Sequence, residues 1–194
     1  LSLLLNSHQR LETLPPLHLS YYSFERRDNF QFRGLQFWRK FIGDLETFPN
    51  VFYQFDTGDI FNYKPHQNKI PSSFFDIIVI CHCFFADPQK RDRAHEIYRQ
   101  IFQKHLKSDG YVLLILQWTK LFKAFNLDRA QDYPSERHIV QKFLAEELNL
   151  SLVDYRYFTS TGKRHSIQNF GQFARQNCPE QGRLGSLSQA FLKL

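Results

Sequence analysis

Phe74-Phe75-Asp76-Ile77-Ile78-Val79-Ile80-Cys81 is the stretch that decides the fold. After Asp76 it runs apolar without alternation, the pattern of a strand covered on both faces in a parallel sheet. Downstream, Asp92 to Leu106 places Ala94, Ile97, Ile101, Phe102 and His105 at intervals of three and four, the spacing of one helical face. Asp109-Gly110 reads as a turn, and Tyr111 to Leu116 as another fully apolar strand. Strand, helix and strand in that order make a parallel crossover.

The alternation continues in both directions. Upstream, Leu1 to Leu14 has apolar residues at helical spacing (Leu1, Leu4, Leu5, Leu11, Leu14) and stops at Pro15-Pro16. Leu17 to Phe24 reads as a strand ending at Glu25, and Phe32 to Leu45 as a helix with Leu35, Trp38, Ile42 and Leu45 on one face. Val51 to Phe55 is a second short strand, closing at Asp56-Thr57-Gly58-Asp59, and a polar loop with Pro65 and Pro71 follows. Downstream, Glu136 to Leu148 is an amphipathic helix and Leu152 to Phe158 a strand. Thr161-Gly162 would turn that strand into a return strand over Ile167 to Phe173. The expectation is one α/β domain over residues 1–177 and a flexible tail over 178–194, rich in Gly, Ser and Gln. Its sheet would be doubly wound, with a C-terminal antiparallel hairpin. In such sheets ligands bind beyond the carboxyl ends of the strands. The positions to examine are Glu25, Asp56 to Ile60, Cys81 to Phe85, and Gln117-Trp118.

Composition bounds the reading. At 194 residues the chain is about one domain long. Hydrophobic residues at 42% and charged ones at 23% exclude a disordered or collagen-like chain, and 21 Phe can fill a large core. No stretch approaches the roughly 18 apolar residues of a membrane-spanning helix. Leu-Ser-Leu-Leu-Leu at the start is too short, and lacks the basic front, for a signal peptide. Three cysteines make no disulfide framework, so a reduced cytoplasmic setting is expected. Met is absent and the chain opens on Leu1, from which a fragment or processed product is expected. Most of the net charge of +6 lies in Tyr155 to Leu194, where six Lys or Arg face Glu180 alone. That segment is either a surface for nucleic acid or an acidic protein partner, or a solvated tail.

The order of these motifs resembles a class I S-adenosylmethionine-dependent methyltransferase over most of the chain, from about Leu1 to Asn177. The resemblance implies S-adenosylmethionine as cofactor, with Glu25, at the end of Ser23-Phe24-Glu25, on its ribose hydroxyls. It implies that Gly58, Asp59 and Ile60, in Thr57-Gly58-Asp59-Ile60, form the loop whose acid meets the adenine amino group. Phe75 to Phe85 would be the family's fourth strand and following loop, with Cys81 toward the cofactor and His82, Phe84, Phe85 and Trp118 toward the acceptor. Leu106-Lys107-Ser108-Asp109-Gly110, followed by an apolar run, is similar to the family's passage into its fifth strand. The terminal hairpin would be the antiparallel pair that separates these enzymes from dehydrogenases. The family's first strand and Gly-rich loop have no counterpart, so the resemblance implies a truncated form with a gap in the sheet.

The residues themselves leave alternatives open. Glu25 could hold a ribose, because a carboxylate can accept from two adjacent hydroxyls, or it could cap a strand end beside Arg26 and Arg27. Asp59 could meet a base or satisfy backbone amides in its turn. Asp56-Thr57-Gly58 spells an aspartic-protease triplet, but Asp59 follows the glycine, Gln54 precedes Phe55, and no second copy exists. Cys81-His82-Cys83 does not read as a zinc site, since side chains alternate along a strand, and no metal is expected. The Asp/Asn-Pro-Pro-aromatic and Pro-Cys methylation signatures are absent after the long apolar strand, and Ser160-Thr161-Gly162-Lys163 is no phosphate loop. The acceptor therefore stays unidentified. The alternative function is a non-catalytic binding or assembly factor using the basic C-terminal segment. A nicotinamide-binding dehydrogenase predicts a continued parallel sheet instead of the hairpin.

Overall fold

The computed structural model describes residues 18–43, 50–64, 68–81, 83–116, 121–122, 125–128, 130, 132–158 and 189–193. It is a mixed α/β chain that divides into two compact units, Leu1–Asp59 with Lys163–Leu184, and Ile60–Gly162 with Gly185–Leu194. The expected helix over Leu1 to Leu14, the return strand over Ile167 to Phe173, His82 and Trp118 lie outside the described residues.

In the first unit, β1 (His18–Glu25) and β2 (Asn50–Thr57) pair in parallel, Glu25 opposite Thr57. Between them runs α1 (Asp28–Gly43), with Asp28 in its first turn and Lys40 in its last, both matched to the helix dipole. Gln31 is its buried residue that fastens helix to strand: its amide donates to the Ser23 carbonyl at 3.3 Å. Side chains alternate along a strand, so Ser23 shares one face with Tyr21 and Glu25. Tyr22, Phe24 and Phe52 share the other, where Phe24 and Phe52 are exposed.

The second unit holds a four-stranded sheet in the order β3-β4-β6-β5. Strand β3 (Phe75–Cys81) pairs in parallel with β4 (Leu106–Leu116) through the crossover helix α2 (Pro88–His105). Strand β6 (Gln189–Lys193) lies antiparallel between β4 and β5 (Asp154–Phe158). Helix α2 starts at Pro88, four residues before the expected Asp92. Asp87 caps it by accepting from Lys90 N at 2.9 Å, and Pro88 at the first helical position needs no donor. Helix α3 (Tyr133–Phe143) starts the same way, with Asp132 accepting from Ser135 N at 2.9 Å. That backbone bond holds the Asp132 carboxyl below its ordinary value. Helix α3 then widens into a π turn, Leu144–Leu148, which Asn149 stops in a left-handed conformation (φ 54°).

Three expectations need correcting. Asp109-Gly110 is not a turn ahead of a strand. Strand β4 begins directly at Leu106, and the pairing slips between Phe75–Leu106 and Ile77–Tyr111, so three extra residues bulge from β4. Gly110 makes the bulge possible: a Cβ there would sit 2.7 Å from Leu106 Cδ1 and 3.1 Å from the Lys107 carbonyl. Nor is β3 covered on both faces by the described residues. Ile80 on β3 and Val112, Leu114 and Leu116 on β4 point into a core with Ala94, Tyr98, Phe102, Val140, Phe143 and Tyr155. The alternate residues Ile77 and Val79 are 45% and 54% exposed, because α2 and α3 both supply that one core. The terminal segment read as a tail contains β6, and Lys193 there registers with Asp154.

Candidate functional site

The carboxyl ends of β1 and β2 bring together three residues expected from the sequence. The Gly58 N–H donates to the Glu25 carbonyl at 2.9 Å, which folds the turn after β2 onto the end of β1. Glu25 is half-buried, and its Oε1 accepts from the Arg27 N–H at 3.1 Å. That bond pins one carboxylate oxygen and leaves the second to accept elsewhere. Asp59 lies 4.0 Å from the Arg26 guanidinium, both side chains more than a third exposed, so the pair contributes little to stability. Both alternatives for Glu25 are thus chemically open at one residue: it caps the chain and presents an oriented oxygen.

In the second unit, Ile60 opens a short 3₁₀ turn (Ile60–Asn62) and packs half-buried against the core. Cys81 is the last residue of β3 and exposed. Desolvation of the sulfur nonetheless raises its thiol above the ordinary value, so it stays protonated near neutral pH and is a poor nucleophile or thiolate ligand. The Cys83 thiol donates to the Cys81 carbonyl at 3.3 Å. Phe84 is buried in the core with its ring 5.6 Å from His95, and Phe85 lies half-buried 5.0 Å from Phe61. Among the described residues no group of three or more His, Cys, Asp or Glu could hold a metal ion. No helix among them is long and apolar enough to cross a membrane.

Two buried histidines on α2 escaped the pattern reading as chemistry. His105 donates from Nδ1 to the Pro71 carbonyl at 2.8 Å, and its Nε2 accepts from the Tyr63 hydroxyl, so the neutral ring is fully satisfied. Burial pushes the Tyr63 hydroxyl up to about 12 and the His105 ring below its ordinary value. His95 donates from Nδ1 to Glu147 Oε2 at 3.1 Å and is likewise depressed, chiefly by desolvation. A signal for His95 was present: it stands three and seven residues before Tyr98 and Phe102, on the stripe that buries them.

Comparison with known proteins adds similarity only. No family model matches the chain, and no curated protein matches it. Among solved structures, one described as an antibiotic-related methyltransferase gives a TM-score of 0.44 at 10% identity, covering 96% of this chain and 90% of that one. A protein of Pyrococcus horikoshii OT3 gives 0.37 at 9% identity, covering 98% and 86%.

Proposed function

We propose that the chain is part of an S-adenosylmethionine-dependent methyltransferase acting on an unidentified acceptor. The observation that supports this most is the Glu25 carboxylate: half-buried at the carboxyl end of a parallel strand, with one oxygen already pinned by Arg27 N–H. A carboxylate held so is oriented before any ligand arrives, and it can accept from the paired hydroxyls of a ribose. The turn through Gly58 and Asp59, tied to the end of β1, suits the adenine side. These residues fit the nucleoside part of such a cofactor. The resemblance also assigns Ile60 and Cys81 to the cofactor and His82, Phe84, Phe85 and Trp118 to the acceptor. Bound S-adenosylmethionine would supply an electrophilic methyl on a sulfonium. The chain's part is to orient the nucleoside and keep water from the reacting atoms. Antiparallel β6 within the sheet counts against the all-parallel sheet of a nicotinamide-binding dehydrogenase.

Calorimetric titration of S-adenosylmethionine into the protein tests the reading. Binding is expected, weakened about tenfold or more by Glu25→Ala, as loss of a hydrogen bond to a charged group requires. Unchanged affinity in Glu25→Ala sinks the ribose assignment. No binding turns the reading to a non-catalytic assembly factor. That second reading rests on the basic residues between Tyr155 and Leu194. It predicts binding to a nucleic acid or acidic protein that falls steeply with salt.

A further inference from the structure

Among the described residues, the buried side-chain polar atom left without a hydrogen-bond partner is His95 Nε2. The residue is 2% exposed. Its ring lies parallel to Phe125 (7°, centroids 5.3 Å apart) and edge-to-face with Phe84 and Phe143 at 5.6 and 6.1 Å. Tyr98 closes the cage at 6.4 Å. The opposite ring edge reaches Glu147, whose side chain is 42% exposed and which belongs to the π turn Leu144–Leu148. One imidazole therefore joins α2 to Phe125, to the end of α3 and to the segment after β3, with the Glu147 carboxylate at one nitrogen and no hydrogen-bond partner at the other.

We propose that His95 is an acid-sensitive latch, whose protonation at Nε2 releases the π turn Leu144–Leu148 and Phe125 from α2 while the core of the sheet stays folded. The neutral ring suits the cage, since its lone pair is the least costly group to leave there. A proton turns that edge into a charged donor facing aromatic carbon, and a buried unpaired donor is among the more expensive groups in a fold. The charged groups around the ring divide. Glu147 favours the protonated form. Arg91, whose guanidinium sits 4.9 Å from the Phe125 ring centre, and Arg99, which donates to the Glu147 carbonyl at 2.6 Å, oppose it. The Tyr98 hydroxyl is committed to the Cys83 carbonyl and stays protonated, so it takes no proton from Nε2. Desolvation outweighs the Glu147 attraction. The open form consequently gains its proton first, near pH 6.5, and the closed form only at lower pH. The latch holds above pH 6.5 and loosens as the pH falls below it.

Hydrogen–deuterium exchange between pH 8 and 5, corrected for intrinsic rates, reads the latch directly in peptides covering 144–148, with 112–116 of β4 as reference. Protection in 144–148 is expected to fall up to tenfold per pH unit below 6.5, as linkage to one proton requires, and to fall more steeply than protection in the β4 peptide. His95→Phe fills the cage without titrating and should flatten the response. Glu147→Gln keeps an acceptor for Nδ1 but removes the charge that favours the protonated ring, so it should steepen the acid response. Protection independent of pH in the wild type, or an unchanged slope in His95→Phe, overturns the proposal. So does an NMR titration of wild-type His95 giving a value of 6.5 or above, a measurement that stands even if His95→Phe does not fold.

Discussion

Replacing Tyr63 by Phe removes one oxygen from the hydrogen-bonded chain Tyr63–His105–Pro71 and tests how the second unit is held. The ring would stay in its edge-to-face contact with His105, at 6.0 Å and 85°. What is lost is the donor to His105 Nε2, at a residue that is 0% exposed and out of reach of water. Because Nδ1 is committed to the Pro71 carbonyl, the ring cannot turn to recover a partner without breaking that bond. Stranding a buried acceptor costs about 1–3 kcal/mol. With a urea slope of about 2 kcal/mol per molar, the unfolding midpoint should drop by about 0.5–1.5 M at unchanged slope. Far-UV circular dichroism in urea at pH 7.5 measures it. The pH sign follows from the same ring. Burial depresses His105 despite the Pro71 bond, so the unfolded chain protonates first as pH falls below about 6.5. The stabilisation is complete above that value and is lost toward the lower folded value. An unchanged midpoint in Tyr63→Phe, at both pH 7.5 and pH 6, would refute the hydrogen-bonded chain as a fastening of residues 63 and 71 to the end of α2.

Gly110→Ala should destabilise the chain by about 1–3 kcal/mol, and Leu106→Ala in the same molecule should recover part of that loss, because the Leu106 side chain is the nearest obstacle. Additive losses in the double-mutant cycle would show that the two residues do not compete for space. Asp87→Ala should cost about 1 kcal/mol by removing the α2 cap, with Asp87→Asn close to wild type in thermal melts. Asp76→Asn should change stability by less than about 0.5 kcal/mol, since its partner Lys107, though 2.6 Å away, is half in water; a larger effect, or one insensitive to salt, would contradict this.

The parallel crossover was legible because β3 and β4 are apolar runs flanking a helix with a clear stripe, and both signals are local. The ends of β1 and β2 were legible for the same reason: once a strand is placed, its terminal acid is placed with it. Elsewhere local pattern misled. Ile77 and Val79 are as apolar as Ile78 and Ile80, and only the positions of α2 and α3 decide which pair is buried. The bulge at Gly110 looks like a turn in sequence, since glycine relieves crowding in either setting. Strand β6 was hidden among Gly, Ser and Gln, and its order depends on neighbours far away in the chain. The histidines of α2 were visible as positions and invisible as chemistry, because periodicity reports burial and says nothing of which ring nitrogen finds a partner.

The place of β6 between β4 and β5 sets a timetable for synthesis. Strand β5 ends at Phe158, and its neighbour in the sheet among the described residues is a strand that begins at Gln189. At 5–20 residues per second, the ribosome needs roughly 2–6 s to make the intervening stretch. During that interval the edges of both β4 and β5 are made but unmatched, and each is a template for pairing with another nascent chain. Slower translation through residues 159–188 would lengthen the exposure. A chaperone that holds extended segments would therefore have its best opportunity there, before the sheet can close.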